Sequence, residues 1–138
     1  MKKHTNLFDI SEDQFIGLVN KVDSYSVNIS TSNEEQLRKV NVNGYVIMHT
    51  SDPNTRLIGR IERVVRLEYE QKDLTDDTDE DDYYIISNDI TVNALGTLKG
   101  PGGGRKRPVF TRAVENLPEI GAKCFLLLGE YLTLFTSL

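Results

Sequence analysis

Cysteine, histidine and tryptophan are scarce: one cysteine, two histidines and no tryptophan in 138 residues. A lone Cys124 excludes an internal disulfide framework and fits a reducing cytoplasm, the compartment expected for this chain. His4 and His49 lie far apart, so the paired Cys and His spacings of a zinc site are missing as well. No apolar run approaches the roughly 20 residues that cross a bilayer. The start, MKKHTNLFDISEDQF, has neither an apolar centre nor a small-residue cleavage site, so no signal peptide is expected. Basic residues are not in excess either. Sixteen Lys and Arg against 21 Asp and Glu leave a net charge of −5, which argues against a domain that binds nucleic acid by neutralising phosphates.

What is present reads as one all-β domain. A polar arm or short lead-in helix is expected over residues 1–12, and a barrel domain over 13–138. Phe15–Val19 predicts a first strand. Tyr25, Val27 and Ile29 then alternate with Ser24, Ser26, Asn28 and Ser30, the period of two that marks a half-buried strand. Tyr45–His49 predicts a third strand, and the cluster Ser51-Asp-Pro-Asn-Thr55 a turn. Leu57 to about Tyr69 predicts a longer strand. The acidic run over residues 73–82 cannot pack a core and is expected to be a mobile loop. Tyr83–Leu98 predicts another strand, with Ile86, Ile90, Val92 and Ala94 on one face. A glycine-rich basic turn follows. Phe110–Leu117 fits a short helix or irregular chain, Pro118–Gly121 a turn, Lys123–Leu128 a last strand, and Glu130 the start of a helix. About six strands with long charged loops and little helix predict a small closed antiparallel barrel, since closure removes exposed strand edges.

The segments that invite a chemical reading do not fit one. GPGGGRKRP lacks the lysine register and the following hydroxyl of a Walker A loop, and it opens no helix pattern. Asp77, Asp79 and Asp81 have calcium-loop spacing, but Asp82 stands where that loop needs glycine and Asn88 where it needs glutamate. Cys124 sits beside Phe125-Leu-Leu-Leu128 and reads as a buried, inert thiol. No catalytic, metal or cofactor residue is assigned, and no enzyme activity is expected of this chain. Two charged groups remain as contact candidates. Lys99, Arg105, Lys106, Arg107 and Arg112 form the one basic cluster, an interface or DNA contact; Asp76, Asp77, Asp79, Glu80, Asp81 and Asp82 form an acidic loop of opposite sign.

Ordered blocks along the chain resemble the N-terminal barrel of HerA-type hexameric ATPases, an ATP-synthase-like (HAS) barrel. Phe15-Ile-Gly-Leu-Val-Asn20 is similar to the family's opening hairpin. Gly44-Tyr-Val-Ile47 and Leu57-Ile-Gly-Arg-Ile61 resemble its next strand pair. Asn93-Ala-Leu-Gly-Thr-Leu98, Phe110-Thr-Arg-Ala-Val114, Pro118-Glu-Ile-Gly121 and Phe125-Leu-Leu-Leu128 resemble its closing block. Ala113 departs from the pattern, which often has glycine there, and no Walker A, Walker B or arginine finger is present. The resemblance implies a non-catalytic barrel that forms a hexameric ring above a motor and offers a docking face. It implies as partners a nuclease or sirtuin-like effector, with DNA reached through the parent assembly, in phage defence or DNA end processing. ATP and magnesium would belong to the motor, and the chain is then expected to be a piece of a longer ATP-hydrolysing DNA translocase. The rival from the residues is a stand-alone OB-like barrel for single-stranded nucleic acid, which would stack bases on Tyr45, Tyr69, Tyr83 and Tyr84.

Overall fold

The structure, a computed structural model, describes residues 6–31, 34–72, 82–101 and 107–138, with the backbone alone at 34, 67–72 and 82–87. Seven strands form it: β1 (Phe15–Val22), β2 (Ser26–Thr31), β3 (Tyr45–His49), β4 (Thr55–Lys72), β5 (Asp82–Lys99), β6 (Val109–Thr111) and β7 (Lys123–Leu126). A 3₁₀ turn (Glu12–Gln14) leads into β1, and two short helices are present, α1 (Glu34–Leu37) and α2 (Glu130–Thr136). All pairings are antiparallel, and the order β2-β1-β7-β3-β4-β5 closes through a β2–β5 ladder. Six strands therefore make the barrel, and β6 adds to β5 beyond the end of β2. The expected barrel and its strand number are what is found.

Two apolar cores lie on opposite sides of one wall. The barrel interior holds Ile16, Val19, Val27, Ile29, Val46, Met48, Leu57, Ile61, Ile90, Val92, Cys124 and Leu126. The second core, outside the wall, joins Leu7, Ile47, Ile58, Leu98, Phe125 and Leu127. Each part of the sequence pattern follows from this division. In β2, Val27 and Ile29 point inward while Ser26, Asn28 and Ser30 face out, so the strand alternates. In β3, Val46 and Met48 enter the barrel while Ile47 and Tyr45 meet the outer core, so the strand reads as an unbroken apolar run. The same holds for Cys124 and Leu126 against Phe125 and Leu127 at β7.

The lid on the outer core comes from both ends of the described chain. Leu7 is only 4% exposed, and Phe8 and Ile10 pack beside it, so the described part of the expected arm is anchored. Tyr131, Leu132 and Phe135 of α2 cover the same wall. Phe135 meets Phe110 edge-on at 5.2 Å and Tyr45 at 5.8 Å. The Ser11 backbone N–H donates to Tyr131 Oη at 3.1 Å, linking the lead-in segment to the helix. The chain turns into α2 at Gly129, whose φ of 58° suits glycine.

Some boundaries differ from the sequence reading. β1 continues to Val22, with bulges near Phe15 and Val19 that shift its inward residues from strict alternation. Phe110 and Thr111, at the start of the segment read as helix or irregular chain, belong instead to β6 (Val109–Thr111), and bends follow it. Thr97 explains that path. Its hydroxyl donates to Ala113 O at 2.7 Å and accepts from Glu115 N at 3.1 Å. These bonds occupy backbone groups that a helix through the segment would need.

Candidate functional site

β4 and β5 pair from Thr55↔Lys99 to Lys72↔Asp82. Strand β2 leaves β5 at Thr31↔Asn88, and β3 leaves β4 at Tyr45↔Arg60. Leu67–Lys72 and Asp82–Ser87 therefore run on as a two-stranded ribbon beyond the barrel, with no other strand beside them among the described residues. At ~3.4 Å per residue, its six pairs project about 20 Å. Unpaired backbone on a projecting ribbon is a ready site for another strand.

The two candidate charge groups flank β5 in the sequence. Asp82 opens β5 and Lys99 closes it, eighteen residues along one strand. At ~3.3 Å per residue these ends stand up to about 55 Å apart. The acidic segment abuts one end of β5 and the basic segment the other. Asp76, Asp77, Asp79, Glu80 and Asp81 lie outside the described residues, as do Arg105 and Lys106, while Asp82 is described by its backbone.

The rest of the basic cluster is divided. Arg107 and Arg112 are exposed. Lys99 is committed locally, its Nζ 3.0 Å from Glu115 Oε1. Sequence reasoning missed Glu115, because the partner is brought in by the Thr97 hydrogen bonds and not by spacing. It also missed Arg56, whose guanidinium lies 4.9 Å from the Phe8 ring centre and donates to Phe8 O at 3.3 Å. That contact fastens the lead-in segment to β4.

His49 and Cys124 complete the chemically versatile side chains. His49 ends β3, exposed, with its ring 5.6 Å from that of Phe125. Its pKa is lowered, chiefly by partial burial and then by the charges of Arg56 and Lys123. Cys124 is fully buried in the barrel, and burial pushes its thiol well above the ordinary range. A thiol-specific reagent is accordingly expected to leave Cys124 unmodified in native protein and to modify one equivalent after denaturation. Fast labelling of the native state would contradict the buried position. Among the described residues, no group of three or more His, Cys, Asp or Glu side chains is placed to hold a metal ion. No helix among them is long and apolar enough to cross a membrane.

No protein-family model matches this chain, and no curated protein matches it either.

Proposed function

We propose that this barrel is a non-catalytic oligomerisation and docking module of a HerA-like ring ATPase working in the cytoplasm. The observation that carries the reading is the placement of opposite charge at opposite ends of β5. In this reading the two segments, which adjoin strand ends far apart on β5, pair between copies and not within one. Between copies, the acidic end of one can meet the basic end of the next. Such a contact is head-to-tail, and a repeated head-to-tail contact closes a ring when its rotation allows. Exposed charges of this kind contribute little stability, typically ~0–1 kcal/mol per pair, but they set orientation.

Further support comes from where the family-like blocks fall. Gly44–Ile47 enters β3, Leu57–Ile61 lies in β4, Asn93–Leu98 in β5 and Phe125–Leu126 in β7. Those four strands are consecutive in the sheet, as β7-β3-β4-β5. The OB-like alternative lacks a comparable observation. Tyr45, one of its four candidate stacking residues, is half-buried against Phe135 of α2.

The test is charge reversal in the protein that carries the barrel. Replacing Arg105, Lys106 and Arg107 together with glutamate is expected to shift the mass found by light scattering from a ring towards smaller species. Restoring assembly by also converting Asp77, Asp79 and Asp81 to lysine would identify the partner segment. An unchanged mass for the triple variant would sink the proposed contact. A nuclease or sirtuin-like effector and DNA, reached through the assembled parent, are the partners this reading predicts. ATP and magnesium act only in the motor of that parent.

A further inference from the structure

The lid over the outer core does not close at its far end. A cavity of about 340 Å³ remains where the lead-in segment, the two edges of the glycine-rich turn and the end of α2 approach each other. That volume lies at the lower end of the ~300–1,000 Å³ range of small-ligand pockets. Its walls are mainly apolar and include Leu7, Pro101, Pro108, Leu134 and Leu138. Leu134 is 38% and Leu138 52% exposed, so two leucines are left to water at a concave site. Among the described residues, this is an incompletely covered apolar surface with a defined shape.

Among the described residues, one cation stands in these walls. Arg107 lines the cavity and is exposed, and the Lys99–Glu115 and Lys123–Glu12 pairs do not use it. Two neutral polar groups are nearby, Asn6 and Ser137. The oxygen of the Asn6 amide accepts from Phe8 N at 2.9 Å, which leaves its NH₂ to donate elsewhere. Among the described residues, no acidic side chain lines the cavity. The chemistry is therefore asymmetric: a guanidinium and an amide donor at an apolar hollow.

We infer that this cavity binds a small amphipathic carboxylate, its aliphatic chain against Leu7, Leu134 and Leu138 and its carboxylate on Arg107. A guanidinium matches a carboxylate with two parallel hydrogen bonds, a fit that a hydroxyl or an amine cannot reproduce. The occupied cavity would bridge the lead-in segment to α2 and hold the lid closed. This inference stands on the cavity alone and does not depend on the assembly reading.

Octanoate is the probe, with octylammonium and octanol as charge controls, in calorimetric titrations at neutral pH. Saturable binding of one equivalent of octanoate is expected, with clearly weaker binding of both controls. Arg107→Gln is expected to weaken octanoate by about tenfold or more, the effect of removing one charge-assisted contact. Because Arg107 is exposed, the variant should fold, which circular dichroism can check. Leu134→Trp should fill the hollow and abolish binding while Arg107 stays in place. Methyl NMR of the unaltered protein gives a second readout: shifts should centre on Leu7, Leu134 and Leu138. No octanoate binding in the millimolar range, equal binding of octylammonium, an unaffected Arg107→Gln variant, or shifts confined to other leucines would each overturn the inference.

Discussion

Truncating Phe125 to alanine is expected to destabilise the domain by about 3–5 kcal/mol, as for other buried aromatics cut back to a methyl. Phe125 is 4% exposed and sits at the centre of the outer core. Its ring meets Phe15 edge-on at 5.8 Å and His49 at 5.6 Å, so truncation removes aromatic contacts as well as buried area. Its neighbour Leu126 points the other way, into the barrel. Leu126→Ala should also be costly, about 2–5 kcal/mol, but the two variants should differ in where they loosen the structure. Loss of Phe125 removes the surface on which the lead-in segment and α2 rest. Hydrogen exchange should therefore quicken first at residues 6–14 and 130–136, ahead of the barrel strands. Leu126→Ala should lower protection across the barrel. Denaturant unfolding gives the energies and exchange gives the location. A cost below about 1 kcal/mol for Phe125→Ala, or unchanged exchange at α2, would mean the outer core is not the lid's support.

The two-sided wall also explains how far the sequence could be read. β2 announces itself, because one of its faces is wet and its serines and asparagine mark that face. In β3 and β7 the apolar run is continuous, and a run alone does not say what covers the second face. The covering elements carry weak patterns of their own. Leu7, Phe8 and Ile10 are spread through a polar segment, and α2 spans only two turns. The outer core was therefore not legible, although the strands that supply its fully buried residues were. β6 was hidden for a different reason. It is three residues long and is held by pairing with β5, while Thr97 holds the chain just after it, so no local periodicity could mark it.

The charge groups give a complementary lesson. The sequence shows an acidic and a basic segment a few tens of residues apart, a separation that equally suits a local pair and a distant one. β5 runs from Asp82 to Lys99 between the strand ends that adjoin them. Lys99 was counted with the basic cluster by proximity, yet it is held by Glu115. Contact candidates read from a cluster of like charges therefore need the strand register before they can be sorted.

Gly59 is a position where a small added volume should do great harm. It pairs with Val46 on one side and Ala94 on the other, in the middle of the wall. A Cβ placed there would overlap Val92 Cγ1 and lie 2.9 Å from Asn93 O. The first obstacle is a stiff β-branched side chain buried in the barrel, and the second is backbone. Neither can yield without moving β5 away from β4, and that pairing is what carries the ribbon. Overpacking a core typically costs ~1–3 kcal/mol, and Gly59→Val is expected at or above the top of that range. Gly121→Ala makes the control. Its φ is +88°, but no atom stands within 4 Å of an added Cβ, so only backbone strain of order 1 kcal/mol applies. The Gly59 variant should also lose ladder protection at Ala94 and Asn93, which the control should keep. Equal stability of the two variants by denaturant unfolding would show that β4 and β5 do not approach so closely, and the barrel wall would need a different register.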